Sequence, residues 1–435
     1  MNRRELLATY GTAMTAGLAG CGGEEANGPS DTEIPGGDAV SAEADSWPMF
    51  HQNRSNARCF ADESVGDVTD SSVSVRWSYE PDGAVWSSPV IANETLYVGC
   101  YDRYLYAIDT ESGDLRWRYR TGDRIDGSPA VANGTVYVGS FDRNVYALDA
   151  NTGEEQWIRG MRGIVRSSPT VHDGVVYIGA FCRTEECSAF YNARWPARGF
   201  LYALDADTGS QLWRYETGDG VISNPAVTDD TVFFGSSDNN IYALDEATGE
   251  ERWARETTGA VMSSPMVVDG RLVVGDVVGE LYAIDADSGA IEWRYGAGEN
   301  HPTDADINVV ITGTPVHCRD TIYVGTVVPA PDGAFGELHA VSMNGARRWI
   351  RSPFGEAIGS SATVVNGVLY FGAHTFSSGS DAERGVYALD HDGTERWSYT
   401  VGSGGHRGFG SSPAIVDGTL YIGSAGGAVY AFDLD

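Results

Sequence analysis

The sequence predicts an all-β fold, an eight-bladed β-propeller of four-stranded antiparallel blades that is closed by an N-terminal strand completing the last blade. Three observations support this prediction. A hairpin ending in Trp recurs along the chain, a Ser-Ser-Pro signature separates the hairpins, and the two chain ends carry complementary fragments of one repeat. No long stretch has the 3.6-residue period of a helix, which argues against a helical solenoid.

The recurring hairpin is represented by residues 202–213, YALDADTGSQLW. Its apolar run predicts a buried strand, the Asp ends that strand, and the Thr-Gly pair predicts a turn with a positive φ before a strand that carries Trp. The Trp spacings are 40, 40, 56, 40, 40, 56 and 48 residues, which indicate eight units. The residues are Trp77, Trp117, Trp157, Trp213, Trp253, Trp293, Trp349 and Trp397.

The Ser-Ser-Pro signature precedes an apolar run and a tight turn, so each repeat is predicted to hold four strands, which we call A to D. Blades six and seven depart from the pattern, because residues 341–345 (VSMNG) lack the Asp and Ser361-Ala362 lacks the Pro. The signatures are Ser88-Pro89, Ser128-Pro129, Ser168-Pro169, Asn224-Pro225, Ser264-Pro265, Thr314-Pro315, Ser361-Ala362 and Ser412-Pro413.

The chain ends predict closure of the ring. The last repeat, from Ser412 to Asp435, has strands A to C but no Trp strand, whereas Trp77 has no strands before it. The N-terminal strand is therefore expected to become the outer strand of the eighth blade. This closure removes the exposed edges of an open array.

The charge composition restricts the partners and the environment of the protein. The chain has 29 basic residues, all Arg, and 61 acidic residues, for a net charge of −32. This field repels polyanions, which argues against nucleic acid as a partner. The lack of Lys together with the acidity predicts adaptation to molar salt, where the screening length is about 3 Å. Chance composition in a calcium-rich niche is the alternative interpretation.

We expect dilution into low salt to expand or unfold the protein, because the carboxylates then repel one another over longer distances. Circular dichroism and size-exclusion chromatography across a salt series measure this effect. Full stability in dilute buffer would contradict the halophile interpretation.

Residues 1–21 are predicted to be a targeting signal. Arg3-Arg4 precedes an apolar stretch too short to span a bilayer, which ends in Leu18-Ala19-Gly20-Cys21 and resembles a lipobox. These motifs predict export in the folded state and lipidation of Cys21, with an accidental match as the alternative. Residues 22–46 predict a disordered acidic tether, and residues 47–435 form the propeller domain. The protein is therefore expected outside the cytoplasm, anchored to the cell membrane.

Lipidation of Cys21 would leave five cysteines, an odd number. Cys182 and Cys187 lie five residues apart in one insertion and predict a local disulfide. A zinc site is the alternative, but no second Cys or His pair lies nearby at ligand spacing. Cys100, at the end of a B strand, is interpreted as a small buried side chain. The sequence leaves the disulfide state open for Cys59, Cys100 and Cys318.

The Asp-x-x-Thr-Gly-x-x-x-Trp hairpins resemble those of the PQQ-like repeat family, which includes quinoprotein alcohol dehydrogenases and the outer-membrane assembly lipoprotein BamB. The resemblance covers residues 47–435, with the opening segment WPMFHQN at residues 47–53. In that family the Trp packs against the neighbouring blade and the preceding Asp-Thr-Gly turn. The resemblance therefore implies that the eight Trp residues dock the blades here.

Resemblance to this family does not by itself imply an enzyme. The dehydrogenases use PQQ with calcium and an adjacent Cys-Cys disulfide, whereas this chain has no Cys-Cys pair and no Cys-x-x-Cys-His haem motif. The Asp residues of the turns lack the further spaced ligands of a calcium loop. No catalytic residue and no metal site is therefore predicted, and cofactors are expected only if the enzyme alternative holds.

The insertions predict a binding face. In a four-stranded meander the B-to-C and D-to-A connections emerge on one face of the ring, and all the extra length falls in these connections. The long loops are predicted from Phe181 to Gly199, Ala297 to Thr312, Thr326 to Gly336, Ala373 to Gly385 and Gly402 to Gly410. Loops on a rigid scaffold commonly bind partners, although tolerated drift in exposed loops is the alternative. The candidate binding residues are Arg183, Tyr191, Arg194, Trp195, Arg198, His301, Asp304, Asp306, His374, His406 and Arg407.

Two main hypotheses follow. The first is a monomeric, lipid-anchored scaffold that binds a protein or cell-surface partner through its long loops. An archaeal halophile has no outer membrane, so only scaffold-type binding would carry over from BamB. The second is a PQQ-dependent dehydrogenase-like enzyme, which carboxylates and an Arg converging on the axial funnel would favour. Polysaccharide binding or cleavage, suggested by aromatic residues such as Tyr191 and Trp195, is a weaker third hypothesis.

Overall fold

The computed structural model describes residues 73–182, 198–299, 309–330, 333–375, 384–401 and 408–434. The described residues form 33 β-strands in eight antiparallel sheets, and these sheets are the blades of a propeller. The predicted fold class is therefore confirmed. None of the described residues belongs to an apolar helix of membrane-spanning length.

The strands follow the repeat pattern. B and C strands such as TVYVG are rich in Val and Tyr and are buried on both faces, whereas D strands such as LRWRYR expose Arg on the outer edge. The N-terminal strand is β1 (Ser74–Tyr79). Blades one to four contain β2 (Val90–Ala92), β3 (Thr95–Gly99), β4 (Tyr104–Asp109) and β5 (Leu115–Arg120); β6 (Ala130–Ala132), β7 (Thr135–Gly139), β8 (Asn144–Asp149) and β9 (Glu155–Gly160); β10 (Thr170–His172), β11 (Val175–Cys182), β12 (Arg198–Asp205) and β13 (Gln211–Thr217); β14 (Ala226–Val227), β15 (Thr231–Ser236), β16 (Asn240–Asp245) and β17 (Glu251–Glu256).

The remaining blades continue in the same order. Blades five to eight contain β18 (Met266–Val268), β19 (Arg271–Gly275), β20 (Glu280–Asp285) and β21 (Ile291–Gly296); β22 (Val310–Ile311), β23 (Val316–Cys318), β24 (Thr321–Ala330), β25 (Gly333–Ser342) and β26 (Arg347–Phe354); β27 (Thr363–Val365), β28 (Val368–Gly372), β29 (Gly385–Asp390) and β30 (Glu395–Thr400); β31 (Ala414–Val416), β32 (Thr419–Ser424) and β33 (Ala428–Asp433).

The N-terminal strand closes the ring. Strand β1 pairs antiparallel with β33, with Trp77 opposite Ala431 and Ser78 opposite Tyr430. The Arg76 side chain also donates a hydrogen bond from Nε to Asp433 Oδ1 at 2.5 Å. Because β33 is the C strand of blade eight, β1 supplies its missing D strand, and the predicted closure is confirmed.

The second residue of the Ser-Ser-Pro signature links the blades around the axis. Its side-chain oxygen accepts a hydrogen bond from the backbone N–H of the equivalent residue in the preceding blade. Seven such bonds, of 2.6–3.0 Å, occur in the described part of the chain, and they include one between the last and first blades. The donor and acceptor residues are Ser88 and Ser128, Ser128 and Ser168, Ser168 and Asn224, Asn224 and Ser264, Thr314 and Ser361, Ser361 and Ser412, and Ser412 and Ser88.

The Gly that follows the apolar run of each B strand makes room for the next blade. A Cβ added at Gly139 would lie 2.2 Å from Val165 Cγ1, and the Val165 N–H donates to the Ser140 carbonyl at 3.2 Å. An apolar side chain from each D-to-A connection thus packs against the Gly at the end of the B strand in the preceding blade. The equivalent pairs are Gly99 with Ile125, Gly179 with Val221, Gly235 with Val261, Gly275 with Ile311, Gly325 with Ile358, Gly372 with Phe409, and Gly423 with Val85.

We expect Gly139→Ala to lower the free energy of unfolding by about 1–3 kcal/mol, because the new methyl group overpacks the contact with Val165. Gly160→Ala in the same blade is the matched control, since its nearest atom would be Asn144 Oδ1 at 3.6 Å. The control should stay within about 0.5 kcal/mol of the parent. Chemical unfolding measures both variants, and equal effects would contradict the role assigned to Gly139.

Blade six departs from the predicted pattern. The stretch from Thr326 to Gly336, expected as a long loop, instead extends the hairpin of β24 and β25, whose strands pair over ten residues each. The added residues are apolar and β-branched, and Val328 and Phe335 join the core between blades five and six. Strand β22 pairs with this extension, so the sheet gains a fifth strand.

Candidate functional site

Seven of the eight blade-docking Trp residues contact the C-to-D turn of the following blade. Trp213 Nε1 donates to the Glu246 carbonyl at 2.9 Å, and its ring lies against Gly249, which has a φ of +71°. The contacted turn is therefore not the one in the Trp's own hairpin. Six other bonds of this kind, of 2.8–3.0 Å, join Trp77 to Thr110, Trp117 to Ala150, Trp157 to Ala206, Trp253 to Ala286, Trp293 to Met343, and Trp349 to His391.

Trp397 differs for a reason that follows from closure. Its ring is almost fully buried, but its Nε1 has no hydrogen-bond partner among the described residues. For the other seven Trp residues, Nε1 donates to a carbonyl in the C-to-D turn of the next blade. Blade eight has no such turn, because its C and D strands are the two ends of the described chain.

In blades one to five, the Asp of the C-to-D turn fixes the backbone of that turn. Asp205 Oδ1 accepts hydrogen bonds from the Thr208 hydroxyl at 2.6 Å and from the Thr208 N–H at 2.8 Å. These two bonds hold the pKa of the Asp205 carboxyl below its ordinary value. Its carboxylate is thus committed to the turn.

The two faces of the ring differ. The A-to-B and C-to-D turns, such as residues 133–134 and 150–154, form the tight-turn face, where every connection in the described chain is short. The B-to-C and D-to-A connections, such as residues 100–103 and 121–129, form the long-loop face. Four connections of the described strands are longer than their equivalents in the other blades: those between β11 and β12, β21 and β22, β28 and β29, and β30 and β31. All four are B-to-C or D-to-A connections, so the strand ends that they join lie at the long-loop face.

Most of the predicted binding residues lie outside the described residues. These are Arg183, Tyr191, Arg194, Trp195, His301, Asp304, Asp306, His406 and Arg407. The lipidation candidate Cys21 and the opening segment at residues 47–53 also lie outside the described residues. Arg198 begins β12 on the long-loop face and forms an ion pair with Glu216 of β13. It is partly exposed.

The prediction that His374 lies on the binding surface is wrong for the described structure. His374 is fully buried and its ring meets Trp86 edge to face at 5.1 Å between centroids. Its backbone N–H donates to the Ala357 carbonyl at 3.2 Å, and its own carbonyl accepts from Glu356 and Ala357. These bridges to the neighbouring connection draw the residue beneath the face.

The cysteines divide into bonded and free. Cys182 is disulfide-bonded, and its predicted partner Cys187 lies outside the described residues. Cys318 is also disulfide-bonded, which the sequence left open. Cys100 is free and fully buried, as expected for a small core side chain, and burial raises the pKa of its thiol.

We expect peptide mapping of the unreduced protein to recover Cys182 and Cys187 in one linked peptide, because the two residues are separated by only four others. Mass spectrometry before and after reduction measures this linkage. Recovery of Cys182 linked to any other cysteine would contradict the predicted pairing.

A charged cluster lies near the axis on the long-loop face, where the connections leading into blades two and three meet. Asp126 is fully buried, and its Oδ1 and Oδ2 lie 3.6 Å from Arg124 Nε and 3.5 Å from Arg166 Nε. Tyr101 joins them from the B-to-C connection of blade one. Neither its buried hydroxyl nor the Asp126 oxygens have a hydrogen-bond partner in the described part of the chain. We call Tyr101, Arg124, Asp126 and Arg166 the axial cluster.

Burial controls the ionisation of this cluster. Desolvation raises the pKa of Asp126 to about 6, although the charges of Arg166 and Arg124 oppose the shift. Burial also raises the pKa of the Tyr101 hydroxyl, and the charge of Asp126 adds to that increase. With Asp126 ionised, the cluster carries a net charge of +1, in a protein whose total charge is −32.

Aromatic rings fix the position of Arg124. Its Cζ lies 4.8 Å from the ring centroid of Tyr101 and 4.0 Å from that of Phe141. Such cation–π contacts restrain a guanidinium group in one place. The Arg124 side chain is 27% exposed whereas that of Arg166 is 5% exposed, so the cluster opens to solvent on the Arg124 side.

The repeat pattern did not predict the axial cluster. Asp126 and Arg166 occupy the position two residues before the second Ser of the signature, where no two blades except seven and eight share a residue type. The eight residues at this position, which we call the inner ring, are Trp86, Asp126, Arg166, Ile222, Met262, Thr312, Gly359 and Gly410. The sequence signal for the cluster is that two neighbouring positions of the inner ring carry opposite charges, whereas the other six positions carry uncharged residues.

A second buried polar network lies between blades five and six. The Tyr295 hydroxyl is 2.9 Å from His339 Nδ1, and His339 Nε2 is 3.1 Å from Glu337 Oε2. All three side chains are buried. The chain of hydrogen bonds joins two adjacent blades through polar groups.

The described residues do not fit a PQQ–calcium site of the dehydrogenase type. They contain no group of three or more His, Cys, Asp or Glu residues able to hold a metal ion. Asp126, the carboxylate nearest the axis in the inner ring, lies within 3.6 Å of two guanidinium groups, whose charges repel a divalent cation. No catalytic step through that cofactor follows from this geometry.

Comparison with solved structures shows the same architecture in proteins of different function. BamB from Moraxella catarrhalis matches with a TM-score of 0.60 and 18% identity, covering 83% of this chain and 97% of that chain. A europium-containing methanol dehydrogenase matches with a TM-score of 0.69 and 15% identity, covering 90% of this chain and 98% of that chain. Quinohemoprotein alcohol dehydrogenase from Comamonas testosteroni matches with a TM-score of 0.69 and 17% identity, covering 98% of this chain and 84% of that chain. At these identities the likeness shows the fold alone.

No curated protein matches the chain in sequence. A family model covers most of it. The model described as outer membrane protein assembly factor BamB matches residues 61–183, 197–351 and 308–435, and the chain therefore belongs to this family of β-propeller proteins.

Proposed function

We propose that the protein is a binding scaffold that holds a protein or cell-surface partner on its long-loop face. The observation that carries this proposal is the asymmetry of the ring. Its tight-turn face is built from short turns in the described residues, whereas the departures from the repeat length all occur between strand ends on the other face. A rigid ring with variable loops on one side is the usual arrangement of a binding module.

The rigidity of the ring supports this function. Among the described residues, all eight junctions between blades have an apolar wedge at the B-strand Gly, seven have a Trp hydrogen bond and seven have a link through the Ser-Ser-Pro signature. Such a scaffold fixes the spacing of loops carried by different blades. A partner that contacts several loops then meets a preformed surface, which lowers the entropic cost of binding.

We further propose that the protein is anchored outside the cytoplasm by lipid on Cys21, with residues 22–46 as the tether. The support is the order of Arg3-Arg4, the apolar stretch and the lipobox in the sequence. Family membership agrees with a role at a cell envelope, because the family model is described as an outer membrane assembly factor. From this family we propose only partner binding for this protein, and we do not propose assembly of outer-membrane barrels.

The enzyme alternative has less support. Resemblance to dehydrogenases in the comparisons extends to the fold, and the axial cluster pairs its single carboxylate with two Arg residues. Soaking purified protein with PQQ and calcium and recording dye-linked dehydrogenase activity tests this alternative directly. Activity above that of the untreated protein would overturn the scaffold proposal.

Site-specific photocrosslinking in intact cells tests the binding face. A photoreactive residue is placed at Arg162 or Asn239, which are exposed on the long-loop face. Matched positions on the opposite face are Ser112 and Thr152, which are exposed in the C-to-D turns of blades one and two. The proposal predicts defined crosslinked products from the first pair and none from the second.

Crosslinks obtained only from Ser112 and Thr152 would assign binding to the tight-turn face and contradict the proposal. The four exposed positions avoid the wedge and Trp contacts, so all variants are expected to fold. Equal melting curves for the purified variants check this expectation. Mass spectrometry of the crosslinked product then identifies the partner.

A further inference from the structure

Cys318 forms a disulfide that joins the tight-turn face to another part of the chain. It ends β23 at the A-to-B turn of blade six, and that turn lies on the tight-turn face. Cys182 is also disulfide-bonded, but it ends β11 at the long-loop face of blade three. The Cα atoms of a disulfide lie within about 7 Å of each other. These two cysteines on opposite faces of different blades are therefore not partners, and Cys100 is free.

The partner of Cys318 is then Cys21, Cys59 or Cys187, which lie outside the described residues. Cys187 follows Cys182 by five residues, a reach of at most about 17 Å. A strand of ordinary length already spans about 17–20 Å, and blades three and six are three positions apart, so Cys187 does not reach Cys318. Cys21 is the proposed lipidation site, and a lipidated cysteine has no thiol left to oxidise. Cys59 remains.

The chain enters β1 from the face that holds Cys318. Ser74, the first residue of β1, pairs with Asp433, the last residue of β33. In the other blades this end of the C strand leads into the C-to-D turn, on the tight-turn face. Residues 59–73, which we call the N-terminal strap, therefore reach β1 on that face.

The N-terminal strap is long enough to connect Cys318 with β1. Cys59 precedes Ser74 by 15 residues, and an extended chain of that length spans about 50 Å. Blade seven is the one blade between blades six and eight, and packed sheets lie about 10 Å apart. The strap can therefore cross blade seven.

The burial of Trp397 is a second observation that points to this path. The C-to-D turn that the other seven docking Trp residues contact has no counterpart in blade eight. The Trp397 side chain is nevertheless 2% exposed, against 9% for Trp213. Val73, the last residue of the strap, packs against the core cluster that contains Trp397. The strap enters β1 where the turn is missing, which places it to cover this ring.

A cleft of about 220 Å³ adjoins Cys318 between blades six and seven. Cys318, Tyr323 and Val364 supply apolar lining, and Arg348 and His391 also line the cleft. Since Cys318 itself lines the cleft, a chain bonded to its sulfur has to pass through or beside this space.

The turn that borders the cleft is unusually short. In blade seven the Gly393 N–H donates to the Asp390 carbonyl three residues earlier, whereas in blade four the Gly249 N–H donates to the Asp245 carbonyl four residues earlier. The C-to-D turn of blade seven is thus one residue shorter, which leaves space for another segment beside it.

Charge favours the strap as the occupant of the cleft. Residues 59–73 contain four acidic residues and no basic residue. The charged residues that line the cleft are Arg319, Asp320 and Arg348, which sum to +1, and Arg348 pairs with Asp320. In a protein of net charge −32, this cleft therefore attracts an acidic segment.

We propose that a disulfide between Cys59 and Cys318 holds the N-terminal strap on the tight-turn face, with the residues next to Cys59 in the cleft. The bond forms outside the cytoplasm, where disulfides persist. The two thiols lose two protons and two electrons as the S–S bond forms. The disulfide of a thiol–disulfide oxidoreductase accepts them and is reduced to a dithiol.

This bond determines which face of the ring carries the anchor. The tether of residues 22–46 precedes Cys59 and therefore leaves the ring on the tight-turn face. The lipid anchor and the long-loop face then lie on opposite sides of the ring, so the binding face is directed away from the anchored side. The inference rests on the proposed lipidation of Cys21 and adds an orientation to the scaffold proposal.

Tryptic mapping of the unreduced full-length protein, isolated from its native membrane, tests the disulfide. The chain has no Lys, so trypsin cleaves after Arg and releases Cys59 in residues 59–76 and Cys318 in residues 295–319. We expect these two peptides to be linked and to separate on reduction. A link from residues 295–319 to the peptide of Cys21 or of Cys187, or no link to residues 59–76, would overturn the proposal.

Cysteine variants measure what the bond contributes. Cys59→Ser is expected to leave Cys318 open to alkylation and to lower the melting temperature by at least about 4 °C, because the bond closes a long loop. Cys59→Ser combined with Cys318→Ser should melt no lower than Cys318→Ser alone. Cys187→Ser is the control and should retain the link between residues 59–76 and 295–319. Additive losses in the double variant would contradict a bond between the two residues.

Hydrogen–deuterium exchange tests the position of the strap. We expect Cys59→Ser to exchange faster than the parent at residues 318–321 and 391–394, which border the cleft. The equivalent turns of blade two, at residues 133–134 and 150–154, should not change. Unchanged exchange at the cleft would reject this position for the strap even if the two peptides are linked.

This proposal and the scaffold proposal fail separately. A bond from Cys59 to Cys318 together with crosslinks only from Ser112 and Thr152 would keep the strap and reject the binding face. A bond from Cys318 to another cysteine together with crosslinks from Arg162 would reject the strap and keep the binding face.

Discussion

Deletion of β1 is expected to unfold the propeller or to convert it to aggregate. Residues 74–79 supply the outer strand of blade eight, and Trp77 donates to the Thr110 carbonyl of blade one at 2.9 Å. The deletion therefore exposes the edge of β33 and breaks the contact between the last and first blades. We estimate a loss of at least about 5 kcal/mol, comparable to the whole stability of many domains.

The matched control is a chain that begins at Trp47, which retains Cys59 and β1, and the test chain is the same chain without residues 74–79. It should be soluble and monomeric, with the melting curve of the parent. Size-exclusion chromatography and thermal unfolding compare the two truncated chains. A monomeric β1 deletion with an unchanged melting curve would contradict the closure.

Replacement of Trp213 by Ala is expected to lower the free energy of unfolding by about 3–5 kcal/mol. The Trp213 ring is 9% exposed and packs with Tyr177 at 5.8 Å between centroids in the core between blades three and four. The variant also leaves the Glu246 carbonyl without its Nε1 donor. Loss of packing and loss of the hydrogen bond both weaken the same contact between blades three and four.

Leu212→Ala is the control for Trp213→Ala, because Leu212 precedes it on β13 and is 53% exposed. Its effect should stay within about 0.5 kcal/mol. Urea or guanidinium unfolding of the two variants provides the comparison. A loss below about 1 kcal/mol for Trp213→Ala would mean that the Trp contact does not hold the blades together.

Local patterns predicted the fold because each blade repeats the same physical solution. The missing Trp strand after Phe432 and the unmatched strand at Trp77 were enough to predict closure, which the β1–β33 pairing confirms. The role of Gly139 was not predicted, although the Gly recurs. Its cause is the Val165 side chain of the next blade, and a contact between blades leaves no mark within one repeat.

Blade six shows where local reasoning fails. Residues 326–336 exceeded the repeat length and were interpreted as a loop, but their β-branched residues extend the hairpin of β24 and β25. The axial cluster was not predicted for a related reason. Binding residues were predicted from repeats of unusual length, and this criterion finds only insertions. Asp126 and Arg166 lie instead at fixed positions in repeats of ordinary length. Their proximity depends on the ring, which brings equivalent positions of adjacent blades together.

Hydrogen–deuterium exchange of the protein, alone and with its purified crosslinked partner, tests the central claim most directly. The account predicts slower exchange on binding in the B-to-C and D-to-A connections, such as residues 100–103 and 121–129. Slower exchange confined to the A-to-B and C-to-D turns, such as residues 133–134 and 150–154, would contradict it.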